Sequence, residues 1–432
     1  MIGTTPQPAA AFALSARFWD DFVERSWSRR PCLIRNPFPA PFVDEAELVA
    51  ILTDAASAYR AFQRLVSLAV FVDGACLLAD VDRFLPHPAV RSLDDYRAQL
   101  ESLAGDRSVM ITVAGLQNYA FNLWTRARWF LRPLFERVGF AADSADLDTF
   151  FGRYDQSPGG VHKDTAANFS YVLSDRKTML FWPDSYFSAR VPQWATTLRT
   201  MDYRPYAQDA IAIEARRGDI IFWPRDHWHV GVSDGGWPTT VTMALYQKAS
   251  PHDVLAPVLA STSAALTAPV DTFGERPGAE SLAELPSSLR DGARLYREAA
   301  AGDGLVAAAQ RQWLQRASAS GFGSVPPPAE NAGLEDGDRL SAEAAGPLLV
   351  MRREGGTLSI GANGHIVDVA DAAHLAKCVD LVRRGVVGTV TEIVSSCAPD
   401  ADAQTRAEAA SETRRLLVDL CRARALQVTN RS

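Results

Sequence analysis

The chain has 432 residues, 47% of them hydrophobic and 22% charged, with a formal net charge of −7. That is enough chain for two or three domains of ordinary globular composition, and the acidic balance gives no general attraction to nucleic acid. No uninterrupted apolar run reaches the roughly 18 residues of a membrane span, no basic segment precedes the short apolar stretch near the start, and the five cysteines are scattered without a CxxC pair; a cytoplasmic protein with reduced thiols and no membrane partner is expected.

Residues 16–30, ARFWDDFVERSWSRR, read as an amphipathic helix with Trp19, Phe22, Val23 and Trp27 near one face, ended by Pro31 and followed by a strand, PCLIRN. Residues 44–66 predict a helix with acidic residues in its first turn, 67–84 contain a strand, 92–103 a helix, 107–115 a strand and 117–139 a long aromatic-rich helix. From 147 to 248 the pattern changes to short β-rich runs: LDTFFGRYD, VHKDTAANFSYVL, KTMLFWP, AIAIEARRGDIIFWP, WHVGVS and TTVTMALYQ. Many short strands punctuated by Gly, Pro and Asp predict an antiparallel barrel or jelly roll. Helices are predicted at 253–266 and 279–318, then a linker-like stretch rich in Gly, Pro and acids. Three short strands within 346–370 and helices near 371–384, 389–396 and 403–425 make a last small unit. The fold class is α+β. Its domains are 1–252 (catalytic), 253–320 (helical, a candidate dimerisation element), 321–340 (linker) and 341–432 (a small C-terminal module).

His162, Asp164 and Asn168 all have even numbers, so on a single strand they share a face. His162-x-Asp164 offers two metal ligands, and a His on a facing strand offers the third. Two His and one carboxylate on one side of a metal leave the other positions open for a chelating cosubstrate and O2, the pattern of non-haem Fe(II) oxygenases. The third ligand is His229 or His227 of GDIIFWPRDHWHVGVS; His229 is preferred because the β pattern has resumed there, whereas His227 falls in the turn. Isolated HxD pairs arise by chance in many chains, but here three of the seven histidines fall in these two β-rich segments. Lys177 opens an apolar run after a polar break; by itself such a lysine is a solvated turn residue. Arg153 and Tyr154 offer further hydrogen bonds. Phe169, Tyr171, Phe181, Trp182, Phe222, Trp223 and Trp228 supply either a dry cavity wall or ordinary core.

The run HKDTAANFSYVLSDRKTMLFWPDSYF resembles the core of the JmjC-type (cupin-like) 2-oxoglutarate oxygenases, and is especially similar to the asparaginyl hydroxylase that inhibits hypoxia-inducible factor. Asn168 stands four after Asp164, Lys177 thirteen after it, and a Pro-Asp turn follows at Pro183-Asp184. The resemblance spans about residues 15–250 and implies a double-stranded β-helix with Fe(II) held by His162, Asp164 and His229 as the catalytic site. It implies Lys177 on the distal carboxylate of 2-oxoglutarate and Asn168 near its metal-bound end. Gly159 stands where relatives often carry a hydroxyl, so either Tyr154 or Thr178 replaces it in gripping the cosubstrate or the grip is looser. The implied activity is hydroxylation of a protein or peptide side chain, with succinate and CO2 as coproducts. A small-molecule hydroxylase and a non-catalytic cupin-type binding protein are the alternatives.

The domain order is similar to that of ribosomal-protein hydroxylases: barrel, helical dimerisation segment, winged-helix-like module. This implies a protein or peptide substrate and a homodimer. The last module is also similar to small leader-peptide-binding domains, in which a peptide adds a strand to an exposed edge. A purely structural or dimerising domain has equal weight. Residues 341–432 carry 11 basic and 11 acidic residues, so a phosphate-binding role is not expected.

Overall fold

The computed structural model describes residues 12–62, 67–187, 196–198, 201–247, 256–260, 287–301, 304–330, 333–342, 348–353, 355–385 and 387–430. The chain divides into two compact units, Met1–Gln247 with Gly321–Pro327, and Lys248–Ser320 with Pro328–Ser432.

In the first unit, helices α1 (Ala16–Arg25), α2 (Glu45–Phe62), α3 (Leu93–Ala104) and α4 (Phe121–Val138) surround two sheets. The strands are β1 (Cys32–Ile34), β2 (Leu68–Val72), β3 (Ala75–Cys76), β4 (Val109–Ala114), β5 (Ser144–Arg153), β6 (Val161–His162), β7 (Ala166–Val172), β8 (Arg176–Trp182), β9 (Thr197–Leu198), β10 (Ile211–Arg216), β11 (Ile220–Trp223), β12 (Trp228–Val232) and β13 (Thr239–Tyr246). One sheet has the order β1-β11-β7-β13-β5-β4-β2-β3, the other β10-β8-β12-β6-β9. Every residue of β7 is buried, as a strand covered on both faces must be. One face of β7 and β11 takes Phe169 and Phe222 against Trp19 and Phe22 of α1, and Phe169 also packs on Phe130 of α4. The opposite face carries the polar residues of the site.

Two local expectations are corrected. Helix α1 stops at Arg25, well short of Pro31: its cap residue Ser26 leaves the helical region at a φ of −126°, and Ser28 then takes a left-handed φ of 55°. The run VHKDTAANFSYVL is not one strand. β6 ends at His162, β7 begins at Ala166, and the two belong to different sheets. Even numbering therefore does not place Asn168 on the face of His162; the chain crosses between sheets at Lys163–Thr165, and Asp164 sits in the crossing.

Residues 321–327 pack with the first unit: Phe322 is buried and bridges Ala145, and the Ser324 hydroxyl accepts from Gln117 at 2.6 Å.

In the second unit, α5 (Ser287–Ala301) and α6 (Gly304–Ser318) precede β14 (Arg339–Ala342), β15 (Leu349–Arg353), β16 (Thr357–Ala362), β17 (His365–Ala370), α7 (Ala373–Arg383), β18 (Val387–Thr389), α8 (Val390–Cys397), α9 (Ala403–Arg422) and β19 (Leu426–Asn430). β15, β16 and β17 form the meander read from the sequence; the β16–β17 turn, Asn363-Gly364, takes positive φ at both positions, as a tight hairpin turn requires. A second sheet, β18-β14-β19, joins segments far apart in sequence and was not foreseen. Leu358, Ile360, Leu375, Val379, Leu416 and Leu420 are among the residues closing one core. Of the helix expected at 253–266, residues 256–260 are helical and the rest lie outside the described residues, as do 279–286. No helix among the described residues is long and apolar enough to cross a membrane.

Candidate metal centre

The site begins with a register. β12 pairs antiparallel with β6, and in that pairing His229 lies directly opposite His162. Directly opposed residues project to the same side of a sheet, and the two rings lie 4.3 Å apart between centroids. Asp164, two residues past the end of β6, brings its carboxylate to the pair. Its Oδ1 lies 3.5 Å from His162 Nε2 and its Oδ2 3.3 Å from His229 Nε2. One ligand atom from each of the three residues falls within 4.8 Å of the others, a spacing that a single metal ion spans. His227 is not in this cluster; it sits in the turn before β12, where burial lowers the affinity of its ring for a proton.

The ring orientations are set by the backbone. His162 Nδ1 is 2.9 Å from the Gly160 carbonyl and His229 Nδ1 is 3.1 Å from the His227 carbonyl. Each Nδ1 therefore carries the proton and donates it, leaving the Nε2 lone pairs aimed at the centre, as metal-bound histidines require. A close approach supports His162: a Cβ on Gly159 would come within 3.0 Å of its ring. Asp164 is 30% exposed and lines the site cavity. Burial pushes its pKa up, yet in the metal-free site the His229 and His162 rings, once protonated, and the Trp223 indole N–H outweigh that and hold it well below the usual carboxylate range. The donor set, two neutral imidazoles and an ionised carboxylate, fits Fe(II).

The three ligands open into a cavity of about 280 Å³ walled by both sheets. Lys177 lies in the same cavity. It is buried, its Nζ is 2.7 Å from the Tyr154 hydroxyl and 5.2 Å from the Tyr154 ring centre, and no carboxylate is within ion-pair reach among the described residues. Gly231 makes the room, since a Cβ there would stand 2.7 Å from Nζ. A buried ammonium facing a cavity, with a phenol as its hydrogen-bond partner among the described residues, fits an anionic ligand that completes its pairing. Tyr154 is the hydroxyl at this end, along with Ser157; Thr178 is absent from the cavity wall because alternation along β8 turns it to the opposite face from Lys177 and Met179. Arg153 does not reach the cavity. Its guanidinium donates to the Gly105 and Arg107 carbonyls and lies over Trp237.

Asn168 is placed against the carboxylate: its Nδ2 donates to Asp164 Oδ2 at 2.9 Å and to the Ala166 carbonyl at 3.1 Å. Of the seven aromatics flagged in the sequence, Trp223 alone lines the cavity. Phe169 and Phe222 pack under α1, and Trp182 and Trp228 pack with Phe187. The sequence reading also missed Asp148. It lies on the same side of β5 as the lining residue Phe150, and its strand partner in β13 is Thr242, which lines the cavity. Its Oδ1 is buried and has no hydrogen-bond partner among the described residues. Burial first, then the nearby Asp146 and Asp164 carboxylates, push its pKa up to about 8.

No family model matches the chain, and no curated protein does. Solved structures do. Escherichia coli YcfD is 17% identical, with 95% of this chain and 97% of that chain covered, at a TM-score of 0.51. The two chains share a fold. A second structure, described as YcfD, a ribosomal oxygenase from Escherichia coli, in complex with cobalt and 2-oxoglutarate, is also 17% identical over 95% of this chain and 98% of that one, at a TM-score of 0.49.

Proposed function

We propose that this chain is an Fe(II)- and 2-oxoglutarate-dependent oxygenase, built on a double-stranded β-helix, that hydroxylates a protein or peptide side chain and releases succinate and CO2. One observation carries the reading: a two-His, one-carboxylate cluster and a buried lysine without a carboxylate partner line the same cavity. A metal cluster alone suits many chemistries. A metal cluster with a buried cation across one small cavity suits a bidentate, dianionic cosubstrate.

In this reading His162, Asp164 and His229 would hold Fe(II), and three protein ligands would leave positions for 2-oxoglutarate and O2. Lys177 and Tyr154 bind the distal carboxylate of 2-oxoglutarate through a charge-assisted pair in a water-poor pocket. Fe(II) held there would supply the coupling of 2-oxoglutarate oxidative decarboxylation to hydroxylation of a substrate C–H. Met110, Phe150, Met179 and Trp223 exclude water from the cavity that the reacting group enters. Asn168 orients the Asp164 ligand.

The test is formation of succinate from 2-oxoglutarate by protein supplied with Fe(II), alone and with candidate peptides. Succinate from the wild type, a one-oxygen mass gain on a peptide and loss of both in Asp164→Ala support the proposal. Metal binding without succinate under any of these conditions would instead identify a non-catalytic binding protein.

A further inference from the structure

The two oxygens of Asp164 are held unequally. Oδ2 accepts two hydrogen bonds, from Asn168 Nδ2 at 2.9 Å and from Trp223 Nε1 at 3.2 Å. Oδ1 receives neither and faces His162 Nε2 at 3.5 Å, whereas Oδ2, besides its two donors, lies 3.3 Å from His229 Nε2. A carboxylate oxygen has two in-plane lone pairs, so two N–H donors occupy those of Oδ2, while Oδ1 keeps its own. The two donors come from paired strands, for Trp223 is the direct cross-strand partner of Asn168 in the β11–β7 ladder. Register therefore places both donors on one side of the sheet, aimed at one atom.

We infer that Trp223 is a positioning residue: its indole N–H, acting with the Asn168 amide, ties down Oδ2 and presents Oδ1 as the single metal-facing oxygen of Asp164. A single donor would leave the carboxylate free to pivot about its Cβ–Cγ bond; donors from two strands fix its plane. The indole cannot easily swing away, because it is 6% exposed and wedged 5.2 Å from the His229 ring and 5.8 Å from Phe181. A carboxylate held to one oxygen occupies one coordination position, which keeps the opposite side of the metal open for a bidentate cosubstrate and O2. This inference rests on the metal reading proposed above and assigns to Trp223 a role that general aromatic packing does not.

The experiment titrates metal-free protein with Mn(II), and separately with Co(II), without 2-oxoglutarate. Trp223→Phe keeps most of the ring and removes the N–H. Its dissociation constant is expected to rise about 10- to 100-fold, and its Co(II) absorption bands are expected to shift as the released carboxylate turns toward two-oxygen binding. Phe181→Leu disturbs the same ring cluster without touching Asp164 and is expected to leave metal affinity within about twofold. Should Trp223→Phe fail to fold, benzothienylalanine at position 223, which keeps the indole shape and replaces the N–H by sulfur, gives the same readout. Wild-type affinity and an unshifted Co(II) spectrum in the folded variant would overturn the inference, as would an equal loss in Phe181→Leu. Wild-type protein that binds neither metal would sink the metal reading itself, a separate result.

Discussion

The two units use polar groups for different ends. In the second unit, Ser359 donates to Asp368 at 2.6 Å, and Arg311 pairs with the same carboxylate at 2.7 Å. Asn363 donates to the Ala423 and Arg424 carbonyls, and Thr389 with Glu392 forms a capping box at the start of α8. Each group is spent on joining one segment to another. In the first unit the buried polar groups converge on a cavity, and some remain unsatisfied: Lys177 meets only a phenol, Asp148 Oδ1 meets nothing among the described residues, and three metal-capable ligands face one another. Unpaired buried polarity is costly, so where it persists around a cavity it points to a ligand that completes it.

Breaking the metal cluster has the largest expected effect. Asp164→Ala is expected to weaken Mn(II) binding and lower succinate formation by more than about 100-fold. Its thermal midpoint without metal is expected to fall modestly, because the Asn168 amide and the Trp223 indole N–H lose their acceptor. A variant that kept its metal affinity would erase the contrast between the units. Lys177→Met comes next. Losing a charge-assisted bond of about 1.5–3 kcal/mol raises the apparent KM for 2-oxoglutarate about 10- to 100-fold, with Mn(II) affinity unchanged. Gly231→Ala pushes a methyl toward the lysine head and is expected to act in the same direction but less, because the head of a lysine can shift.

Asp148 sharpens the comparison through pH. Its folded carboxyl keeps its proton up to about pH 8, while the unfolded chain releases it near the ordinary value of 3.8. Between those values the folded state binds more protons, so this group makes the metal-free protein less stable as pH rises. Asp148→Asn is expected to remove that slope, giving a higher thermal midpoint than wild type at about pH 8 and a smaller difference at about pH 5. In the second unit, Asn363→Ala forfeits two hydrogen bonds to buried carbonyls. It is expected to cost about 1–3 kcal/mol in denaturant unfolding of that unit, with peptide-free succinate formation unchanged.

Much of the architecture was legible because it is local. Helix α3 carries its own capping box, Ser92 with Asp95, and α2 its first-turn acids, Glu45 and Glu47. The meander β15–β17 is marked by Gly-bearing turns. The end of α1 was misread because proline only limits how far a helix can run, and the chain had already left helical geometry at Ser26. The sheet β18-β14-β19 was invisible because its strands are three to five residues long and pair over long sequence separations.

At the site, the sequence by itself determined which residue types were present and how far apart they stand: two histidines, an aspartate between them in number, an asparagine four further on and a lysine thirteen further on. Side-chain chemistry needs no fold to be read, so the nature of the ligand set followed directly. Which atoms meet was decided only by tertiary structure. The β12–β6 register set His229, rather than His227, opposite His162, and a change of sheet between His162 and Ala166 carried Asn168 to the carboxylate. The β11–β7 register then aligned Trp223 beside Asn168. Register and sheet crossing depend on pairings between distant segments, and no local pattern of residues encodes them.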